Sequence, residues 1–86
     1  MADYSITFAR SARKELESLS NNLIARIFPK IESLADEPRP PGCKKLQGNT
    51  NLWRIRIGDY RVVYSIDDVA EVVDIVRIKH RREVYD

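Results

Sequence analysis

The 86-residue sequence has little of several residue types on which other protein classes depend. Its single cysteine cannot close an intrachain disulfide, and one cysteine with one histidine cannot form the Cys/His cluster of a zinc site. The longest stretch without a charged residue is eight residues, as in Leu46–Trp53, whereas a membrane-spanning helix needs about 20 apolar residues. Met1–Ser5 also lacks the basic start and apolar core of a signal peptide. We therefore expect a cytoplasmic protein with no membrane association, no metal and no cofactor.

Length and composition predict a single domain over residues 1–86, in which 43% of the residues are hydrophobic. A domain of this size buries roughly 60–65% of its unfolded surface, so its core is small and a bound partner would reinforce it. The net charge of +2 is too small to indicate a polyanionic partner, so the placement of the charges has to decide. Ten of the 15 basic residues are arginine, the residue suited to forked phosphate contacts.

Hydrophobic periodicity predicts an α+β fold with the element order βααβββ. The predicted elements are a strand at 4–8, helices at 9–19 and 21–35, and strands at 52–57, 60–66 and 71–78. Ser20 to Asn22 divide the two helices, and Pro29 predicts a kink or an early end in the second. Gly58 and Asp59 predict a two-residue type II′ turn. The sequence thus predicts an antiparallel sheet packed against an N-terminal helical hairpin.

The turn fixes the register of the predicted hairpin, in which Arg56 faces Arg61 and Arg54 lies on the same side. Trp53, Ile55, Ile57, Tyr60, Val62 and Tyr64 share the other side, which we expect to pack against the helices. Like charges directly opposite each other destabilise a sheet, and an anion would relieve the repulsion. Arg77, Lys79 and Arg81 share one parity on the last strand and would extend this basic face. A solvated polar face without a ligand is the alternative interpretation.

Three sequence blocks resemble the RelE/ParE toxin superfamily, and specifically its RelE-like branch of mRNA endonucleases. They are the K-L-x-G motif at 45–48, the R-x-R-x-G-D-Y-R-V-x-Y motif at 54–64 and the H-R-x-x-V-Y ending at 80–85. Residues 4–16 are similar to the first strand and helix of that family, so the resemblance covers essentially the whole chain.

The resemblance implies a toxin that cleaves mRNA in the ribosomal A site and is neutralised by a cognate antitoxin in a hetero-oligomeric complex. It places the reaction on five residues: Arg54, Arg56, Arg61, Arg81 and Tyr85. The 2′-hydroxyl of the RNA would attack the adjacent phosphorus, so no metal is required. ParE-like relatives share the fold, lack the catalytic set and poison DNA gyrase, which is the alternative function. An inactive module that only binds an antitoxin is a third possibility.

Proton transfer is the least determined part of the implied reaction. Tyr85 is the candidate base, and surrounding guanidiniums would have to lower its pKa from about 10. Arg54 and Arg56 stand where some relatives have lysine, and a guanidinium cannot act as a base. Histidine is the residue type used most often for proton transfer, so His80 is the second candidate, although strand alternation directs it to the face opposite Arg81.

Overall fold

The computed structural model describes residues 3–48 and 51–83, which form two helices, five strands and a closing 3₁₀ turn. The elements are β1 (Ser5–Phe8), α1 (Arg10–Glu17), α2 (Asn21–Ser33), β2 (Lys44–Lys45), β3 (Leu52–Ile57), β4 (Tyr60–Asp67), β5 (Val72–His80) and the 3₁₀ turn (Arg81–Glu83). The α+β class and the order of the six predicted elements are confirmed, and the short strand β2 is added to them.

The two helices form where the apolar periodicity predicts them, and each ends slightly earlier than expected. Ser20 begins α2 as its N-cap, because its side-chain oxygen accepts a hydrogen bond of 3.3 Å from the Leu23 backbone N–H. Helix α1 packs against β5 and buries Ala12, whereas α2 packs against β3. Among residues 3–48 and 51–83, no helix has the length and apolar content needed to cross a membrane.

Pro29 lies inside α2 and does not end it, so the predicted early end is wrong. A proline in a helix interior removes one backbone donor and costs about 3 kcal/mol. Ile27 and Ile31, on either side of it, are only 1% and 0% exposed. Burying each of these side chains contributes about 1.5–3 kcal/mol, so the packing of this helix face offsets the cost of the proline.

The sheet has the strand order β1-β5-β4-β3-β2, in which β3, β4 and β5 form the predicted antiparallel meander. The expectation of a fully antiparallel sheet is wrong, because β1 pairs in parallel with β5, from Ser5 opposite Val72 to Phe8 opposite Ile75. Alternation of polar and apolar residues determines which face of the sheet each side chain lies on, but it does not determine whether the strand pairs in parallel or antiparallel fashion. The sequence of β1 therefore fits either pairing, and only its contact with β5 reveals the parallel one.

The other edge of the sheet is the unpredicted strand β2, which pairs in antiparallel fashion with β3. It follows the proline-rich loop, where the Cys43 N–H donates to the Pro40 carbonyl at 3.0 Å. A two-residue strand of lysines has no periodicity to detect, so only its partner β3 reveals it. Charged residues on a very short strand also protect this edge from further pairing.

The helix-facing side of the sheet is the one that the hairpin register predicts. Ile55, Val62 and Tyr64 are buried in the core, and Trp53, Ile57 and Tyr60 pack partly buried against it. The Tyr64 hydroxyl donates a 2.7 Å hydrogen bond to the Pro38 carbonyl, which ties the proline loop to the core. Burial raises the pKa of Tyr64 far above its ordinary value, so this hydroxyl stays protonated and keeps donating.

The β3–β4 turn places glycine where a side chain would be strained. Gly58 has a φ of +59°, whereas Asp59 does not have a positive φ, as the predicted type II′ turn requires. A Cβ on Gly58 would also lie 3.1 Å from the Arg26 guanidinium. We expect Gly58→Ala to lower the free energy of unfolding by about 1–3 kcal/mol in urea denaturation.

The variant Arg26→Ala separates the two causes of that loss. It removes the side chain that the new Cβ would meet, so the cost of Gly58→Ala that remains in this background is the backbone strain. A Gly58→Ala protein that unfolds at the parental urea concentration would contradict the strained-turn interpretation.

Candidate active site

The hairpin places three of the predicted site arginines on the sheet face opposite the core. Arg56 pairs with Arg61 across β3 and β4, and Arg54 pairs with Val63 two residues away, so the predicted register is confirmed. Two cross-strand rows result. They are Arg56, Arg61 and Lys79 in one row, and Lys44, Arg54, Val63 and Arg77 in the other. We call the cationic members of both rows, together with Arg81, the basic face.

A β-bulge brings the end of β5 onto this face. The pairing shifts by one residue between Val63, which faces Arg77, and Tyr64, which faces Ile75. Because the extra residue reverses the alternation, Ile75 stays in the core whereas Arg77 and Lys79 lie on the basic face. Without the bulge, residues of one parity on β5 would all share one side. The bulge therefore lets odd-numbered residues of β5 face the core before it, as Ile75 does, and the basic face after it, as Arg77 and Lys79 do.

Three predicted site residues meet at the turn end of the basic face. A cavity of about 300 Å³ is lined by Arg56, Gly58, Asp59, Tyr60, Arg61 and Arg81. Arg81 is held there by its backbone N–H, which donates a 2.7 Å hydrogen bond to the Asp59 carbonyl. Its Nε also lies 3.7 Å from the Asp59 carboxylate, in an ion pair whose two side chains are each 65% exposed. Such an exposed pair contributes little and yields readily to another anion.

Arg54 shares the face but not the cavity lining. Its side chain is only 4% exposed and lies between Lys44 on β2 and Val63 on β4. A buried guanidinium contributes positive potential to the surface above it, and this potential is screened less than that of an exposed charge. Arg54 therefore fits an electrostatic role beneath the site better than a direct role at its rim.

The remaining predicted residue, Tyr85, lies outside the described residues, so its role stays a prediction. His80 is described, and it lies on the opposite side of the sheet from the cavity. It pairs with Tyr60, whose ring it meets edge-on at 5.3 Å, and its Nδ1 accepts from the Arg82 backbone N–H at 3.2 Å. Together with Leu23 of α2 it lines a second cavity, of about 260 Å³. Gly58, Asp59 and Tyr60 line both cavities, whereas His80 lines only the second and the three arginines line only the first.

Glu15 is a charged residue of this region that the sequence did not reveal. Its carboxylate accepts from the Ile78 backbone N–H at 2.7 Å and forms ion pairs with Arg77 at 3.1 Å and Lys79 at 2.9 Å. Although its partial burial acts to raise its pKa, the hydrogen bonds from Ile78, Lys79 and Arg77 outweigh that effect and lower the pKa. These partners follow Glu15 by more than 60 residues, so no local spacing signals the contact.

The chemistry of the cavity suits an anion. The cavity offers three guanidiniums, whose forked N–H groups match the oxygens of a phosphate, and arginine holds its charge at every physiological pH. In the ranges 3–48 and 51–83, no three His, Cys, Asp or Glu side chains are grouped so that they could hold a metal ion. The fold and site define a small α+β protein in which three arginines of the basic face line one cavity, an arrangement suited to a phosphate group.

Comparison with known proteins identifies the family to which the chain belongs. The family model described as the ParE toxin of type II toxin-antitoxin system, parDE, matches residues 6–85. Toxin RelG of Mycobacterium tuberculosis is 30% identical over 83 residues, which cover 95% of each sequence. Toxin RelE3 of Methanocaldococcus jannaschii is 27% identical over 85 residues, which cover 94% of each.

Solved structures give the same result. The toxin-antitoxin complex RelBE2 from Mycobacterium tuberculosis contains a chain that matches with a TM-score of 0.83 and 30% identity, covering 96% of this chain and 97% of that one. The RelE-RelB complex from Pyrococcus horikoshii matches with a TM-score of 0.81 and 31% identity, covering 95% and 99%. The chain therefore belongs to the RelE/ParE superfamily of toxins of type II toxin-antitoxin systems, and the resemblance seen in the sequence is confirmed.

Proposed function

We propose that the chain is a metal-independent endoribonuclease of the RelE-like branch, which cleaves mRNA in the ribosomal A site. The observation that carries the proposal is that Arg56, Arg61 and Arg81 line one cavity. These residues come from β3, β4 and the 3₁₀ turn after β5, so only the fold brings them together. The three positive charges around this cavity repel each other, and a bound phosphodiester would offset that repulsion.

The geometry fits cleavage by the RNA's own 2′-hydroxyl. Attack of that oxygen on the adjacent phosphorus places extra negative charge on the phosphoryl oxygens and then on the leaving 5′-oxygen. Arg56 and Arg61, which are paired across the hairpin, would hold the phosphoryl oxygens. Arg81, at the end of the cavity beside Asp59, would stabilise the leaving oxygen. Arg54 would add positive potential from beneath the face.

Proton transfer is assigned to Tyr85 in this proposal. No guanidinium acts as a base, and His80 does not line the cavity of the three arginines, so the proposal assigns the proton of the 2′-hydroxyl to neither. The positive potential of the basic face favours the phenolate form of a tyrosine beside it. Tyr85 belongs to the matched family region, which extends to residue 85.

The proposed partners follow from the same surface. Relatives of similar fold are complexes of a toxin with an antitoxin, which supports a cognate antitoxin and a hetero-oligomeric complex for this chain. The basic face favours an acidic antitoxin segment that covers the arginines or displaces the residues after β5. A toxin that acts on translating ribosomes would act in the cytoplasm.

Inhibition of DNA gyrase without nuclease activity is the second candidate function. The observation that favours it is the match over residues 6–85 to a family model named for the ParE toxin. On this alternative the basic face would bind a protein surface or DNA, and the convergence of the three arginines would have no chemical role.

One experiment separates the two candidates. The chain is induced in cells with and without its neighbouring gene, while mRNA 5′ ends are mapped and plasmid supercoiling is followed. We expect new 5′ ends inside open reading frames with supercoiling unchanged, and we expect the neighbouring gene to suppress both cleavage and growth arrest. Growth arrest with intact transcripts and lost supercoiling would establish the gyrase alternative instead.

A further inference from the structure

Glu15 anchors two of the cations of the basic face at one edge of the sheet. Its Oε2 lies 3.1 Å from Arg77 Nη2 and 2.9 Å from Lys79 Nζ, and Arg77 Nε adds a hydrogen bond of 3.2 Å. Its Oε1 accepts the Ile78 backbone N–H at 2.7 Å. With its side chain only 19% exposed, this carboxylate holds both cations in charge-assisted contacts that solvent screens poorly.

The position of Glu15 follows from the sheet topology. β1 covers the outer edge of β5 only as far as Ile75, so the backbone groups beyond that point need other partners. α1 supplies them: Ser11 Oγ donates to the Val76 carbonyl at 3.0 Å, and Glu15 accepts from Ile78. The helix therefore completes the open edge of the sheet, and its carboxylate lies beside the cations that flank Ile78.

The consequence is that the basic face has two electrostatically different ends. At the turn end, Arg56, Arg61 and Arg81 line the cavity together with Asp59, whose exposed carboxylate lies 3.7 Å from Arg81. At the α1 edge, a phosphate that approached Lys79 would meet the half-enclosed carboxylate of Glu15. Like-charge repulsion and the loss of the existing ion pairs both oppose binding there.

We infer that Glu15 is a positioning residue that sets the boundary of the RNA-binding surface, confining substrate phosphates to the turn-end arginines. Its single negative charge, shared between Arg77 and Lys79 at the edge of β5, keeps these two side chains from contacting RNA phosphates. The inference rests on the proposed function, because it specifies where on the basic face the RNA backbone lies.

The test is the salt dependence of RNA binding by the purified full chain. The probe is a short single-stranded RNA with 2′-O-methyl groups, which cannot supply the attacking hydroxyl. Each phosphate contact contributes about 0.7 to the slope of log affinity against log salt for single strands. We expect Glu15→Gln, which retains an acceptor for Ile78, to steepen the slope by up to about 1.4, since Arg77 and Lys79 then reach phosphates.

Glu17→Gln is the matched control, because it removes the same charge from an exposed position of the same helix. It is expected to leave the slope at the parental value. Adding Arg77→Ala and Lys79→Ala to Glu15→Gln is expected to restore the parental slope. The inference is overturned if Glu15→Gln and Glu17→Gln give equal slopes. It is also overturned if the slope of Glu15→Gln stays steep after Arg77 and Lys79 have been replaced by alanine.

Two further variants keep the test decisive if Glu15→Gln fails to fold. In the parental background, Arg77→Ala is expected to leave the slope unchanged, whereas Arg56→Ala lowers it by about 0.7. A slope that falls equally for both overturns the boundary and leaves the proposed function standing. A slope that Arg56→Ala does not change, or the absence of salt-dependent RNA binding, overturns the proposed function and the inference with it.

Discussion

Arg61→Ala is expected to slow single-turnover cleavage on programmed ribosomes by on the order of 10²-fold or more, while leaving the fold intact. Arg61 lines the cavity and stands in the centre of a cross-strand row, between Arg56 and Lys79. Its guanidinium would contact the charge that develops on the phosphoryl oxygens, and losing one preorganised donor of this kind costs a few kcal/mol of transition-state stabilisation. Arg61→Lys retains the positive charge but lacks the paired N–H groups of the guanidinium, so its cleavage rate should lie between those of the parent and of Arg61→Ala.

Arg61→Ala is also expected to be as stable as the parent. Removing Arg61 also removes its repulsion with Arg56, which offsets the contacts that the side chain loses, so the melting temperature should equal that of the parent or rise slightly. Arg13→Ala on the exposed surface of α1 is the control for loss of one positive charge, and it should leave the cleavage rate unchanged. If Arg61→Ala melts far below the parent, Arg61 is a structural residue and the loss of cleavage does not report on the phosphate contact.

The part of the site that the sequence predicted depends on local rules. A two-residue turn at Gly58 fixes the register of β3 against β4, and strict alternation then assigns every side chain to a face. The pairing of Arg56 with Arg61 and the burial of Tyr64 follow from these rules alone, and the structure confirms both. The hairpin alone was enough to place Arg54, Arg56 and Arg61 on one face.

The features that the sequence did not predict depend on contacts between distant residues. The parallel direction of β1 and the contact of Glu15 with β5 each join segments that lie far apart in the chain, and β2 is too short to show a pattern of its own. The bulge opposite Val63 is likewise a property of two strands, and a single strand does not show it. Arg54 illustrates the same limit, because alternation assigned it to the basic face and gave no sign that its side chain would be buried there.

Tyr85→Phe is expected to separate chemistry from binding. The substitution keeps the aromatic ring, and with it any stacking on a base, but removes the hydroxyl that would accept the proton of the attacking 2′-hydroxyl. General base catalysis contributes typically about 10²–10⁴-fold, so single-turnover cleavage should fall within that range while ribosome and RNA affinity stay at the parental level. The measurement combines cleavage with binding of the uncleavable RNA, using one preparation of each variant.

His80→Asn provides the matched comparison for the base. His80 lies behind the sheet, with its Nδ1 accepting from the Arg82 backbone N–H, so a side chain that still accepts should preserve the local structure and the cleavage rate. The pH profile adds an independent readout: loss of a tyrosine base removes the rise of the rate with pH below the pKa of that phenol, whereas loss of a histidine would alter the profile near neutrality. Parental cleavage by Tyr85→Phe together with slow cleavage by His80→Asn would reverse the assignment, and the proton would then have to reach His80 around the edge of the sheet.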